Sequence, residues 1–318
     1  MRIFLHNRHF IEQKSLILHF EITIFIIMNI LVTGAEGQLG KELRKTLEIS
    51  IPGITTYTDV ADLDITDAKA VEDFIASHEF THIINCAGYT AVDKAESDQT
   101  LCYRINADAV QNLASAALKH GVKIIHISTD YVFDGTNHRP YREADRVNPI
   151  STYGTSKRKG EMVLLSLCPD AIIVRTSWLY SPYGHNFVKT MMRLGREQKQ
   201  LRVVSDQIGT PTYALDLAEA IAAILKSRQW VPGIFHFSNE GACSWYDFTK
   251  VIHQMAEIDT CTVTPVTTDD YPTPASRPPY SILDKSLIKK TYNITIPFWQ
   301  ESLAQCIRRI QNIESENQ

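Results

Sequence analysis

Short apolar runs alternate with longer stretches of helical periodicity along most of the chain. From residue 28, runs typical of strands occupy 28–33, 54–58, 81–86, 122–128 and 171–176. Between them, apolar residues recur at helical spacing at about 38–47, 67–77, 102–120 and 151–167. Short strands separated by helices of this length are typical of a parallel sheet covered on both faces. The pattern therefore predicts a doubly wound, Rossmann-type α/β fold, in which ligands bind at the carboxyl ends of the strands.

The pattern changes after about Trp178. Residues 264–280 are rich in proline and threonine, which excludes a long helix or a central strand in that segment. We therefore expect a smaller C-terminal substrate-binding lobe beside the sheet domain. The expected sheet domain is 28–178 with a return near 211–237, and the expected lobe is 179–210 and 238–318.

Residues 1–27 precede the first predicted strand and add nothing that the fold requires. They begin with basic residues and become apolar from Leu16, but His19 and Glu21 interrupt the apolar run. A membrane span needs about eighteen or more apolar residues, and no small-residue cleavage site follows. We interpret residues 1–27 as an upstream start codon assigned in error or a disordered extension, and not as a membrane anchor.

Composition and charge narrow the class of protein. Of the 318 residues, 44% are hydrophobic and 21% are charged, as in soluble globular proteins. The net charge of −4, with no long basic run, gives no electrostatic basis for binding nucleic acid. The six cysteines are scattered without a C-x-x-C pair, which indicates reduced thiols. We therefore expect a cytoplasmic protein with no nucleic-acid or membrane partner and no metal-binding cluster.

Three glycines follow the first predicted strand and open the first predicted helix. The spacing of Gly34, Gly37 and Gly40 lets the chain turn tightly, approach a phosphate closely and pack the helix against the strand. The helix N-terminus then offers free N–H groups to that phosphate. Asp59 lies nineteen residues after Gly40, at the end of the next strand, where a carboxylate can accept hydrogen bonds from ribose hydroxyls. Together these features predict a dinucleotide-binding site.

Asp59 also bears on the choice of nicotinamide cofactor. Its carboxylate permits the free 2′-hydroxyl of NADH and opposes the 2′-phosphate of NADPH, which would need a cation such as Lys41 or Arg44. Asp64 and Ile65 follow, where a loop could cover the adenine. Asp64 could equally serve as the N-cap of the next predicted helix.

A tyrosine and a lysine four residues apart are the candidate reacting groups. On a helix, Tyr153 and Lys157 share one face, and an ammonium there would lower the pKa of the phenol toward useful proton transfer. Thr129 stands at the end of the strand at 122–128, where its hydroxyl could bind a substrate carbonyl or simply cap the strand end. The glycine turn, this strand end and the Tyr–Lys pair together indicate an oxidoreductase.

Several segments extend this pattern to a known family. They are NILVTGAEGQLG (29–40), NCAGYTAVDKAE (85–96), STDYVFDG (128–135), YGTSKRKGE (153–161), RTSWLY (175–180) and PTPASRP (272–278). With these segments the chain resembles the extended short-chain dehydrogenases/reductases that act on nucleotide sugars. More narrowly, it is similar to the dTDP-4-dehydrorhamnose reductase family, from residue 28 to about residue 305.

The resemblance implies an activity and a set of site residues. The activity is reduction of the C4 ketone of dTDP-4-dehydro-L-rhamnose to dTDP-L-rhamnose, a precursor of cell-surface polysaccharide, with NADPH or NADH. The implied catalytic residues are Thr129, Tyr153 and Lys157. The implied cofactor contacts are Gly34, Gly37, Gln38, Leu39, Gly40, Asp59, Asp64, Ile65, Gly88, Tyr89, Thr90, Tyr153 and Lys157. The implied contacts with the dTDP-sugar are Thr129, Asp130, Trp178 and Arg277.

The resemblance also raises the question of a shared metal. Some members of the family dimerise through acidic residues that share magnesium. Glu42 and Glu197 match two such positions, but Gln300 stands where a third acid would be, which argues against a magnesium site. We interpret both glutamates as exposed helix surface and leave a homodimer open.

Three alternative functions have to be weighed. Sugar dehydratases of the superfamily carry a glutamate after the Thr-Asp pair, and Tyr131 in its place leaves water elimination without a base. An epimerase/reductase acting on a GDP- or UDP-sugar fits the glycine turn and the Tyr–Lys pair equally well. A non-catalytic subunit resembling the regulatory subunit of methionine adenosyltransferase would share the fold but would not need the intact Tyr–Lys pair.

Overall fold

The computed structural model describes residues 28–51 and 55–316. The interpretation of residues 1–27 therefore concerns residues that lie outside the described part of the chain. Over the described ranges, no helix has the length and apolar character needed to cross a lipid bilayer.

Strands and helices alternate in the order expected for an α/β protein. The strands are β1 Ile30–Thr33, β2 Thr55–Thr58, β3 His82–Asn85, β4 Lys123–Thr129, β5 Ile172–Thr176, β6 Leu179–Tyr180, β7 Gln200–Val204, β8 Ile208–Gly209, β9 Thr212–Tyr213, β10 Gly233–His236, β11 Cys243–Ser244 and β12 Thr262–Val266. The α-helices are α1 Gln38–Ser50, α2 Ala68–Ala76, α3 Val92–Ala95, α4 Gln99–Tyr103, α5 Ala109–His120, α6 Thr152–Leu167, α7 Phe187–Glu197, α8 Ala214–Lys226, α9 Trp245–Met255, α10 Ser286–Tyr292 and α11 Trp299–Glu316.

Six strands form one parallel sheet in the order β10-β5-β4-β3-β1-β2. The predicted doubly wound α/β fold is therefore confirmed. After β2 the chain crosses back over β1, so β1 and β3 are neighbours where the direction of strand addition reverses. The carboxyl ends of strands at such a switch point leave a crevice for a ligand. β10, which lies within the predicted return to the sheet, extends the other edge beside β5.

Alternate residues of the strands face two separate hydrophobic layers. Ile30 and Val32 of β1 pack with α1, α8 and α10, whereas Leu31 packs with α2, α5 and α6. All three side chains are fully buried, which explains why the strand reads as a continuous apolar run.

The residues beyond β5 build a third hydrophobic cluster. Phe248 of α9 packs there with Trp299 and Leu303 of α11, and α7 and the parallel pair β7–β12 complete it. This C-terminal cluster lies apart from the two layers of the sheet, and its aromatic side chains reach the edge of the cleft described below.

The predicted helix at 102–120 is interrupted. It consists of α4, a π-helical segment Arg104–Asp108, and α5. Single π-helical turns inside helices occur frequently at functional sites. Here the turn carries Asn106, which is buried and points toward the carboxyl end of β3.

Candidate active site

A cleft of about 570 Å³ opens at the carboxyl ends of β1, β3, β4 and β5. It brings together twelve of the residues expected from the sequence: Gly34, Gly37, Gln38, Leu39, Gly40, Gly88, Thr90, Thr129, Asp130, Tyr153, Lys157 and Trp178. The expected residues that do not line this cleft are Asp59, Asp64, Ile65, Tyr89 and Arg277.

The glycine turn at one end of the cleft has no room for side chains. Gly34 has a φ of +66°, and a Cβ on it would lie 2.6 Å from the backbone nitrogen of Ala87. A Cβ on Gly40 would collide with the carbonyl oxygen of Gly34. Gly37 is the N-cap residue directly before α1, and the N-terminus of this helix receives no side-chain hydrogen bond. The turn thus presents unshielded backbone N–H groups at a helix N-terminus, which fits the pyrophosphate of a dinucleotide.

Asp59 follows β2, as expected, and its carboxylate supports the glycine turn. Oδ2 accepts the Glu36 N–H at 2.9 Å, and Oδ1 accepts the Val60 N–H at 2.8 Å. The Glu36 carboxylate in turn pairs with Lys41 at 3.2 Å and Arg44 at 3.5 Å. The two cations that could favour a 2′-phosphate are therefore already paired with an acid.

The N-cap alternative for Asp64 is wrong. Helix α2 is capped by Asp67, which accepts the N–H groups of Lys69 and Ala70. Asp64 instead accepts the Thr66 N–H at 2.9 Å, and this hydrogen bond lowers its pKa. Ile65 is buried in the hydrophobic layer that contains α2, so its side chain is part of the core.

Asn106 holds the loop after β3 in place. Its side chain accepts the Tyr89 N–H at 2.9 Å and donates to the Tyr89 carbonyl at 3.0 Å. It also donates to Ser156 of α6 at 3.0 Å. The loop containing Gly88 and Thr90 is therefore tied to the helix that carries the candidate catalytic pair. Sequence reasoning missed Asn106 because nothing in a predicted regular helix signals a π-helical turn.

Thr129 and Tyr153 meet at the other end of the cleft. Thr129 ends β4, as expected, and its hydroxyl also caps the following turn by accepting the Tyr131 N–H at 3.2 Å. Tyr153 lies in the first turn of α6, which Ser151 caps. Burial raises the pKa of Tyr153, while a hydrogen bond with Thr129 lowers it and the Asp130 charge raises it. The phenol therefore stays protonated at neutral pH.

Lys157 lies one turn after Tyr153 on the same buried face of α6. Its ammonium nitrogen donates to the Ile127 carbonyl at 2.6 Å. Burial lowers the pKa of Lys157 to about 8, although the charge of Glu161 opposes this. The expectation that Lys157 moves the pKa of Tyr153 below its usual value is wrong for this arrangement, because burial of the phenol has the largest influence on this pKa and raises it.

Asp130 is buried beside this pair. Burial raises its pKa to about 7, although hydrogen bonds from the Ser281 and Thr129 side chains lower it. Tyr131, the next residue, packs edge-on against Tyr153 with ring centroids 5.6 Å apart. Burial raises the pKa of Tyr131 as well, so this residue carries no base at neutral pH.

An ion pair lies beneath the Tyr153 end of the cleft. Arg175 of β5 donates to both carboxylate oxygens of Glu161 at 2.8 Å, and both side chains are almost fully buried. Ser128 of β4 donates to the same carboxylate at 2.6 Å. This pair fixes α6 against β4 and β5 one turn after Lys157. The sequence places Glu161 four residues after Lys157, but no local pattern in it indicates that Arg175 is the partner of Glu161.

Aromatic and charged residues from Trp178 onward line the cleft and the cavity that adjoins it. Trp178 stacks on Trp245 with ring centroids 3.4 Å apart, and its φ of +46° is rare for a bulky residue. Arg277 forms a bidentate pair with Asp93 at 3.0 and 2.7 Å. It lines an adjoining cavity of about 510 Å³, which shares Tyr131 with the main cleft.

The interpretation of Glu42 as exposed surface is wrong. Glu42 is fully buried and accepts hydrogen bonds from Arg309 of α11 at 2.9 and 3.1 Å. Glu197 is exposed, as expected, and pairs with Arg193. In residues 28–51 and 55–316, no group of three or more histidines, cysteines or acids could hold a metal ion. Arg309 therefore balances the charge of Glu42, the carboxylate that a shared magnesium ion would have needed.

Known proteins are similar to this chain in both sequence and fold. Residues 28–312 match the protein family described as the RmlD substrate binding domain. A dTDP-4-dehydrorhamnose reductase of Aggregatibacter actinomycetemcomitans is 42% identical, over 86% of this chain and 96% of its own length. The crystal structure of a dTDP-4-dehydrorhamnose reductase from Clostridium acetobutylicum superposes with a TM-score of 0.85 and 46% identity, covering 89% of this chain and all of that one.

A second solved structure was determined with a cofactor. The dTDP-4-dehydrorhamnose reductase of Bacillus anthracis in complex with NADP has a TM-score of 0.85 and 40% identity to this chain. The alignment covers 89% of this chain and 99% of the other.

Proposed function

The chain belongs to the family of the RmlD substrate binding domain, and from that premise we propose that it reduces the C4 ketone of dTDP-4-dehydro-L-rhamnose to dTDP-L-rhamnose with NADPH or NADH. The observation that carries the proposal is one cleft that joins a glycine turn fit for a pyrophosphate to a buried Thr129–Tyr153–Lys157 cluster. Two relatives named for this reaction, aligned to this chain over 96% and 97% of their own lengths, support the choice of substrate.

The cofactor site consists mainly of backbone. The N–H groups of Gln38 and Leu39 would hold the pyrophosphate beside Gly37, whose own N–H donates to the Gly34 carbonyl at 3.1 Å, and Asp59 would accept a hydrogen bond from the adenosine ribose. Gly88 and Thr90 would line the nicotinamide half, near Lys157. When bound, the reduced nicotinamide supplies the hydride.

Tyr153 is the proton donor in this proposal. Its raised pKa keeps the proton on the phenol oxygen, so that it is available for the alkoxide that develops at C4. Thr129, whose hydroxyl donates to Asp130 at 3.1 Å in the structure, would turn this hydrogen toward the substrate and orient its carbonyl oxygen. Lys157, with a pKa of about 8, carries a proton at neutral pH that can restore Tyr153. Elimination of water, by contrast, would lack a base at Tyr131.

The C-terminal residues would select the sugar nucleotide. We assign Asp130 and Trp178 to the sugar and Arg277 to the diphosphate side, because they surround the two adjoining cavities. This assignment makes 179–210 and 238–318 the substrate-binding lobe. Arg277 would keep its pairing with Asp93, which fixes the direction of the guanidinium.

Location and assembly are part of the same proposal. The six cysteines are free thiols in the structure, which supports a reducing, cytoplasmic location. A homodimer that shares magnesium through Glu42 is less well supported, since Arg309 occupies that carboxylate. Light scattering with and without a chelator measures the oligomeric state and its dependence on magnesium, and a dimer that dissociates with the chelator would contradict the assignment of Glu42 to Arg309.

A substrate panel tests the proposed function. The purified protein is mixed with NADPH or NADH and with dTDP-, GDP- or UDP-linked 4-keto-6-deoxyhexoses, and cofactor oxidation and the sugar product are measured. We expect fastest turnover with dTDP-4-dehydro-L-rhamnose and formation of dTDP-L-rhamnose. Faster turnover of a GDP- or UDP-sugar would favour the epimerase/reductase alternative. No oxidation with any ketosugar, together with capture of a methionine adenosyltransferase, would favour the regulatory subunit.

A further inference from the structure

His126 is a buried titratable residue that the mechanism above does not use. It lies in the middle of β4 and is fully buried. Its two ring nitrogens face different polar groups: Nδ1 is 3.1 Å from Asn85 Nδ2, and Nε2 is 3.4 Å from Lys157 Nζ. The imidazole therefore connects the end of β3 to the candidate catalytic lysine.

The orientation of the Asn85 amide is fixed by its other partners. Its oxygen accepts the Ala87 N–H at 3.1 Å and the Thr33 hydroxyl at 2.8 Å. A backbone N–H can only donate, so the amide oxygen must stay on that side and the NH₂ group must face His126. The NH₂ group requires an acceptor, which makes Nδ1 of His126 the unprotonated nitrogen.

The proton of the neutral imidazole then lies on Nε2. Burial and the Lys157 charge both lower the pKa of His126 well below its usual value, so the ring is neutral and has a single N–H. That N–H points toward Lys157, which already donates to the Ile127 carbonyl. An N–H aimed at the lysine nitrogen disfavours the ammonium and suits the neutral amine, which can accept it.

We propose that His126, oriented by Asn85, is a positioning residue that keeps the proton of Lys157 labile. Lys157 can then return a proton to Tyr153 in each turnover, a consequence that rests on the proposed function. Other groups that act on the charge of Lys157 are Glu161 on the same helix, Cys86 after β3 and Cys102 on α4. His126 differs from these three because it presents a donor to the lysine nitrogen.

Titration of Lys157 measures the effect without substrate. The full chain is labelled with ¹³C-lysine, the Lys157 signal is assigned by its absence in Lys157→Arg, and its midpoint is followed by NMR. In His126→Leu, loss of the N–H should raise the midpoint by about one pH unit. His126→Gln, whose amide can place an N–H near the same position, should bring the midpoint back toward that of the wild type.

Because an apolar replacement by itself disfavours the ammonium, a raised midpoint in His126→Leu can be assigned to loss of the N–H, and an unchanged or lower midpoint would overturn the proposal. The same upward shift is expected in the alkaline limb of kcat. The NMR titration involves no ketosugar, so its outcome is independent of whether the substrate assignment is right.

A neutron structure of the deuterated wild-type protein tests the tautomer with no substitution at all. We expect a deuteron on Nε2 of His126 and none on Nδ1. The opposite pattern, with Nε2 bare and an ammonium donating to it, would refute the inference even if His126→Leu does not fold.

Discussion

The two ends of the cleft differ in which groups they present to a ligand and in how far the nearby charges are exposed to solvent. At the glycine turn the backbone presents the binding groups, and the nearby charges of Glu36, Lys41 and Arg44 are substantially exposed to solvent. At the Tyr153 end the reactive groups are side chains, and burial shifts the pKa of Lys157 and Asp130 to about 8 and about 7. Charge changes should therefore have large effects at the buried end and small ones at the exposed end.

The largest effect is expected for Lys157→Met. Removing a buried group that takes part in proton transfer should lower kcat by about 10²- to 10⁴-fold. Lys159→Met is the matched control, because Lys159 lies on the exposed face of the same helix. Steady-state reduction by both variants measures the difference. Equal activity of the two variants would remove Lys157 from the mechanism.

The next largest effect concerns stability beneath the same end. Arg175→Met leaves the Glu161 carboxylate buried without its main partner, which should cost about 3–5 kcal/mol of unfolding free energy. Arg158→Met removes a partly exposed partner of the same glutamate and should cost about 1 kcal/mol or less. Urea unfolding of both variants measures these values. If the two lose the same stability, the buried pair is not the main support of α6.

Asp130 should make stability depend on pH. Its folded-state pKa of about 7 lies above that of an exposed aspartate, about 4. Between these values the folded chain binds more protons than the unfolded chain, so the free energy of unfolding falls as pH rises. Asp130→Asn should then be more stable than the wild type by about 2–4 kcal/mol at pH 8 and about equal to it at pH 4. Unfolding curves at both pH values measure this difference. If Asp130→Asn is less stable than the wild type at pH 8, the predicted direction of the effect is wrong.

The smallest effect is expected at the exposed end. Asp59→Asn keeps a hydrogen-bonding group but loses the charge, so KM for NADH should rise about threefold to tenfold with kcat little changed. KM for NADPH should stay the same or fall, because a carboxylate opposes its 2′-phosphate. Asp73→Asn, on the exposed surface of α2, serves as the control. A large fall in kcat for Asp59→Asn would break the distinction between the two ends.

The comparison also explains what the sequence could predict. The glycine turn and the Tyr–Lys pair are each contained in one short segment, so their spacing specified the local geometry and the fold placed both at one edge of the sheet. The strand end at Thr129 was predictable for the same reason, since Ile124, Ile125 and Ile127 mark β4 as a strand.

Interactions between distant segments were not predictable in this way. Arg309 lies 267 residues from Glu42, and no local pattern links an exposed-looking glutamate of α1 to the last helix. Asn85 and His126 are ordinary strand residues until the sheet register makes them neighbours. The pKa of Tyr153 was misjudged because spacing shows the nearby lysine, but the extent of burial depends on the whole fold.

Single-turnover reduction by Tyr153→Phe tests the central claim most directly. Enzyme and NADPH in excess are mixed with dTDP-4-dehydro-L-rhamnose, and cofactor oxidation and dTDP-L-rhamnose are followed together. The wild type should form one product per cofactor oxidised. The variant, which keeps the ring but lacks the proton donor, should form product at least about 100-fold more slowly while still binding NADPH. Product formation by Tyr153→Phe at the wild-type rate would contradict the account.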